Sequence, residues 1–248
     1  MILSRKIIIT AVAFSILGGL FYLFVGRNNK SVVKEDVVAI DGQPGISWRK
    51  TIVTMEESTE KIFTQINAPK IVIFGNRELS NEINQVITQR IELLKDSFIS
   101  GVSTAAYKNG ETNTLNIDTE ILLLTPHLLS LAFTTTEHFA GSRGNSSEQT
   151  FIIFDIEKGE IMREGDELFH DVEAWREAVR TMKASLLSSY QGEPNCDLLF
   201  APKQNGFAAS CIGIDRSRGG HISITGDIPI SEIEKLLAPS VLSGITSY

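Results

Sequence analysis

Residues Thr112–Glu160 read TNTLNIDTEILLLTPHLLSLAFTTTEHFAGSRGNSSEQTFIIFDIEKGE. Leu115, Ile117, Ile121 and Leu123 recur at the two-residue spacing of a half-buried strand, and Thr125-Pro126-His127 has the composition of a turn. Leu128–His138 then reads as a second strand and Thr150–Ile156 as a third. The glycine-containing loop Phe139–Asn145 lies between them, and Glu157-Lys158-Gly159-Glu160 closes the third as a hairpin turn. Successive strand-like runs on short links predict an antiparallel meander.

Upstream, Asn76–Ser100 carries Leu79, Ile83, Val86, Ile87, Leu94 and Phe98 at three- and four-residue steps. That stripe predicts an amphipathic helix, with Asn76 as its N-cap and Gly101 as its stop. Trp48–Thr54 and Lys61–Phe74 read as strands. Pro69 makes the second an edge strand or two short pieces, because proline has no N–H for a ladder. Downstream, Asp171–Tyr190 predicts a second helix with the stripe Val172, Trp175, Val179, Met182, Leu186 and Tyr190, capped by Asp171. A loop holding Pro194 and Cys196 follows, then strand-like runs at Gly206–Ile214 and His221–Thr225. A short helix over Ile230–Leu237, capped by Ser231, ends the pattern. The order predicts an α+β fold of antiparallel sheets with interspersed helices.

The N-terminus is of another kind. From Ile7 through Leu17 to Val25 there are 19 residues without a charge. As a helix they span about 28 Å, the thickness of a bilayer's hydrocarbon core. The stretch ends in bulky residues up to Gly26-Arg27, unlike a signal-peptide cleavage site, and no lipoprotein cysteine follows. One uncleaved transmembrane helix is therefore expected ahead of the α+β fold. The expected organisation is an anchor (1–27), a linker (28–45), two subdomains (46–110 and 111–238) and a tail (239–248). Only six residues precede the span, so the expected topology is single-pass in the cell membrane with the C-terminal domain extracytoplasmic. Ala11, Ser15 and Gly19 share one helix face, the small-residue pattern that lets membrane helices pair.

The chain carries a formal charge of −7. Arg5, Lys6, Arg27 and Lys30 are the only charges among the first 30 residues, which leaves 19 basic against 30 acidic residues in the remainder, a net of −11. A body this acidic argues against nucleic acid and suits a basic protein partner. Cys196 and Cys211 leave three readings open: a disulfide, two buried thiols, or a reactive or metal-binding role. His127, His138, His170 and His221 show no metal-binding spacing, and no serine stands in a nucleophile elbow. The adjacent carboxylates Glu56-Glu57 and Asp166-Glu167 read as solvated charge. Neither a catalytic residue nor a cofactor or metal site is expected.

Three segments carry a resemblance. His138–Asn145, then Phe151–Glu160, then Asp166-Glu167-Leu168-Phe169 resemble an uncharacterised bacterial domain family with a Tyr-x-Gly-Gly-Ala-His-Gly-Asn stretch, a Phe-Asp-x-x-x-Gly-Lys turn and a Leu-x-Asp-Leu-Phe segment. Gly219–Thr225 followed by Ile228–Ile233 is similar to its C-terminal strand and Ile-Pro-x-Ser-x-Leu helix start. Ile46–Ser100 looks like the domain that precedes it. This RsiV-like, PdaC-like family occurs in the ectodomain of the RsiV-type anti-sigma factor, which binds lysozyme, and beside the catalytic domain of the PdaC-type peptidoglycan deacetylase. Where the family has Gly-Gly-Ala-His, this chain has Ala140-Gly141-Ser142-Arg143. The resemblance implies a fold and a cell-envelope setting. The expected function is a membrane-anchored, non-catalytic extracytoplasmic binding or sensing module. Its expected partners, besides the bilayer, are a basic protein such as lysozyme or cell-wall material. Phe139, Arg143 and Asn145 form its candidate binding loop. The rival expectations are a peptidoglycan-directed envelope hydrolase and a structural protein dimerising through its membrane helix.

Overall fold

Seven strands lie side by side in sequence order: β1 (Val32–Val38), β2 (Trp48–Ser58), β3 (Ile62–Ile73), β4 (Asn113–Leu124), β5 (Leu128–His138), β6 (Ser146–Asp155) and β7 (Glu160–Ile161). The computed structural model describes residues 32–38, 48–59, 61–104, 111–162 and 166–246. The expected membrane helix Ile7–Val25 lies outside the described residues, and no helix among those described is long and apolar enough to cross a membrane.

The meander β4–β5–β6 is antiparallel throughout. The sheet as a whole is mixed, which corrects the expectation of purely antiparallel sheets: β3 and β4 run parallel from Ile62↔Asn113 to Asn67↔Asp118. A parallel pair needs a long crossover. Helix α1 (Arg77–Thr104), 28 residues long, lies in that connection.

Pro69 shows how β3 tolerates its proline. β4 leaves β3 after Asn67, so Pro69 stands where that side has no strand partner. The same side is served further on by α1. The Asn84 side chain accepts from the Ile71 N–H at 2.9 Å and donates to the Ile71 C=O at 2.7 Å, as a neighbouring strand would. Ser80 Oγ accepts from the Ile73 N–H at 2.9 Å. β3 is thus one unbroken strand inside the sheet, and the expected edge strand or pair of pieces is corrected.

The sheet is buried on both faces. Leu129, Leu131 and Phe133 of β5 pack with Leu115, Ile117, Ile66 and Ile71 under Leu79, Ile83, Ile87, Ile91 and Phe98 of α1. On the opposite face Leu128, Leu123 and Ile153 join a second core. A register shift between Ile121 and Leu123 inserts one extra residue in β4, so Ile121 and Leu123 serve different cores although their spacing assigned them one face.

The second core is closed by helix α2 (Val172–Leu187) and a three-stranded antiparallel sheet in the order β10 (Gly220–Pro229), β9 (Gly206–Asp215), β8 (Pro194–Lys203). Asp171 caps α2, its carboxylate accepting from the Ala174 N–H at 2.8 Å. Ala178 and Met182 are its buried residues, whereas Val172, read as part of the stripe, is exposed. Cys196 and Cys211 form a disulfide across β8 and β9, with their Cα atoms 5.4 Å apart. Gly213 sits opposite Cys196, where a side chain would run into the backbone of Asn195 and Cys196.

Five further details differ from the sequence reading. The linker 28–45 contains strand β1, paired with β2. The loop assigned to Pro194 and Cys196 is strand β8. The short helix over Ile230–Leu237 is two 3-10 turns, Ile230–Glu232 and Glu234–Leu236. The tail 239–248 holds helix α3 (Pro239–Thr246), which Val241 and Ile245 fasten into the second core. Gly101 does not stop α1 but lies inside it. The Phe139 ring packs so close that a Cβ there would stand 3.0 Å from its Cζ.

Two substitutions test this account. Asn84→Ala leaves the Ile71 peptide unsatisfied beneath α1 and is expected to cost about 1–3 kcal/mol, measured by urea unfolding. The paired change Cys196→Ala with Cys211→Ala frees a 15-residue loop. By the chain-entropy model it is expected to cost about 3 kcal/mol, read as a lower midpoint at unchanged slope.

Candidate functional site

The described residues enclose a cleft of about 810 Å3 at the outer edge of β6. Val86, Arg90 and Leu93 of α1 form one wall; Asp197–Phe200 of β8 form the other, with Trp175 of α2. The floor is β6 itself, Thr150–Ile153, with Ile161 and Met162 at one end. Its size falls in the range of roughly 300–1,000 Å3 typical of ligand clefts.

The site follows from how the layers end. In β6 the odd-numbered residues aim their peptide groups away from β5; the Ile153 C=O accepts from the Met162 N–H on that side at 2.9 Å. β7 pairs only with Phe154 and Asp155. Among the described residues no strand covers Phe151, Gln149 or Ser147. The two layers overhang this open edge and leave apolar side chains along it: Leu93, Ile161 and Leu199 are all exposed there.

Two polar groups in the walls are unusual. Arg90 donates from Nη2 to Thr150 Oγ1 at 2.9 Å, but its Nε is buried without a hydrogen-bond partner. Burial also pulls its guanidinium pKa below the ordinary value. The Trp175 indole N–H is likewise buried without a partner. Buried donors are satisfied in the great majority of cases, so two orphans in one cleft are informative. Among the described residues Arg90 and Asp197 are the charged groups of the lining, and most of the remainder is apolar.

The sequence-predicted loop divides. Phe139 is structural, its ring 5.2 Å from that of Phe98 at the end of α1. The loop is shaped by Ala140 N–H donating to Asn113 Oδ1 at 2.9 Å, by Gly141 N–H donating to the Glu111 carboxylate, and by Gly141 at φ 86°. Arg143 and Asn145 are exposed beyond it. These three residues do not meet the cleft.

The titratable groups have local duties. Asp155 accepts from the Glu157 and Lys158 N–H groups and so holds the β6–β7 turn, and Lys158 bridges it to Glu167 at 2.6 Å. Glu57 pairs with Lys95, His127 with Glu157 and His221 with Glu148. Buried Asp215 accepts from Ser217, Tyr190 and the Glu193 N–H. Ser217's hydroxyl foremost, then Tyr190's, holds its carboxyl well below the usual range. Glu137 is opposite in sign: burial first, and the neighbouring Glu148 carboxylate second, push its pKa up. Among the described residues no group of three His, Cys, Asp or Glu side chains is placed to hold a metal.

The sequence reading missed the cleft. Arg90, Leu93, Trp175 and Leu199 come from three distant segments, and no linear motif joins them. Leu93 alone left a signal, as a large apolar residue off the α1 stripe.

Comparison with solved structures finds DUF3298 family proteins, members of a domain family of unknown function. One from Pseudomonas aeruginosa PAO1 aligns over 86% of this chain and 95% of its own, with TM-score 0.46 and 13% identity. Another from Bacteroides fragilis NCTC 9343 aligns over 89% and 98%, with TM-score 0.47 and 12% identity. No family model matches the sequence, and no curated protein does.

Glu137 gives a pH test. Its folded pKa lies above the ordinary carboxylate value. Below the unfolded pKa it is protonated in both states and costs nothing. As pH rises through the folded pKa, the folded state is increasingly penalised. Glu137→Gln is therefore expected to raise the urea midpoint at pH 7 and leave it unchanged at pH 3.

Proposed function

We propose that this chain is a membrane-anchored, extracytoplasmic binding or sensing module of the bacterial cell envelope, without catalysis of its own. The observation that carries this reading is the open apolar cleft at the β6 edge. Among the described residues its lining holds one cation, one carboxylate and no imidazole. That is a surface for contact, whereas acid–base chemistry needs titratable groups converging on one point.

The location rests on three supports. The uncharged stretch Ile7–Val25 has the length of a membrane span. The Cys196–Cys211 disulfide suits an oxidising compartment. The resemblance of His138–Phe169 and Gly219–Ile233 to the RsiV-like, PdaC-like family adds an envelope setting. That resemblance, with the acidic body, makes a basic protein such as lysozyme the first partner to try, and cell-wall material the second.

The full-length chain is expected to bind lysozyme saturably at low salt and more weakly as ionic strength rises, because exposed charges are screened within about 10 Å at 0.1 M. Calorimetric titration at two salt concentrations measures this. Absence of saturable binding to lysozyme and to peptidoglycan sacculi, or turnover of peptidoglycan fragments by the pure chain, overturns the reading.

A further inference from the structure

We infer that the β6 cleft takes an extended, largely apolar segment of a partner polypeptide, which adds as a strand to the outer edge of β6. The inference rests on the binding-module reading and names the chemistry of the ligand.

The argument begins with the edges of the two sheets. A free edge invites pairing with another chain, and proteins commonly guard it with charges, prolines or bulges. β1, at the far edge of the large sheet, carries Lys34, Glu35 and Asp36 in seven residues. β8 carries Pro194, Pro202 and Lys203; β10 ends in Pro229 and contains Gly226. Of these devices β6 has only two carboxylates, Glu148 paired with His221 and Asp155 engaged in the β6–β7 turn. Its sequence SSEQTFIIFD holds no proline and no lysine, and its register with β5 is unbroken from Asp155 to Ser146. The outward peptide groups of Phe151 and Gln149 meet no strand among the described residues.

Strand addition supplies main-chain hydrogen bonds for affinity and pockets for alternate side chains. Both are present. An extended segment beside β6 would send one set of side chains toward Val86 and Leu93 on α1. The alternate set would face Trp175 and Leu199 on the other wall. Besides Arg90 and Asp197 both walls present mainly apolar side chains, so the segment carries apolar residues at consecutive positions. Arg90 and Trp175 belong to those walls, but their Nε and Nε1 atoms are buried beneath the surface, so the outward main-chain groups of β6 carry the polar part of the recognition. The acidic body favours lysine or arginine at the flanks of the segment.

The probe is a pool of lysine-flanked decapeptides whose six central positions are drawn from valine, isoleucine, leucine, phenylalanine and threonine. Binding to the full-length chain is followed by fluorescence anisotropy. Leu93→Glu places a charge on an exposed wall residue and so spares the core. Gln149→Pro removes an outward N–H without touching the ladder to β5. Each is expected to weaken binding about tenfold, and a pool with N-methylated central amides is expected to bind at least about tenfold more weakly than the parent pool. Unchanged circular dichroism and unfolding midpoint establish that both variants fold. Equal binding by the variants, equal binding of the N-methylated pool, or no saturable binding up to about 1 mM overturns the inference. Saturable binding of dodecanoate, with no binding of peptide, overturns it in favour of a lipid groove. If Leu93→Glu binds lysozyme as the wild type does while the peptide pool fails, the binding-module reading stands and the strand-addition reading falls.

Discussion

The central sheet is apolar on both faces, and everything else is arranged around covering it. Leu129, Leu131 and Phe133 point one way from β5, and Leu128 and Ala132 point the other; all five are buried. No single layer can cover both faces. α1 takes one, and the small sheet with α2 and α3 takes the other. Ser130 and Ser210 are fully buried in this packing.

What was legible in the sequence is what local chemistry decides. Asn76 and Asp171 cap their helices because each side chain reaches a first-turn N–H, at 3.0 and 2.8 Å. The meander was legible because its turns are short and carry proline or glycine. The misses share a different cause. β1 reads VVKEDVV, a charged stretch that becomes a strand only because β2 is there to pair with it. β8 contains Pro194 and Asp197, weak strand formers that its pairing with β9 overrides. The parallel β3–β4 pair depends on a crossover through α1, and nothing within either strand encodes direction. α3 begins with Pro239 at a position proline favours, yet two buried residues at the chain end leave little periodicity to read.

The segments that resemble a known family have a structural meaning here. Asp155 and Lys158 of the Phe-Asp and Lys-Gly stretch build one turn, with Gly159 at φ 71°. Leu168 and Phe169 enter the second core, where the Phe169 ring stands 6.0 Å from Phe200 and 6.5 Å from Phe207. Asp215, outside those segments, serves the β9–β10 turn in the same manner. A carboxylate accepting several N–H and O–H groups is held ionised and fixed in place, which suits a structural joint. Such residues are specific in order and spacing because turns are, and they mark the fold rather than a site.

The same covering requirement accounts for the cleft. After the turn at Gly159 the pairing with β6 reaches Met162 among the described residues, and Leu168 and Phe169 lie in the second core beneath α2. The Ala238 N–H donates to the Leu168 C=O at 3.0 Å and Phe169 bridges to Leu237, which fixes that destination. α1 and β8 are held on opposite faces by their own cores and project beyond the strand that remains. Among the described residues an uncovered edge between two walls is therefore what this topology leaves once both cores are filled. The exposed Leu93 and Leu199 stand on those walls, where no described element is set against them.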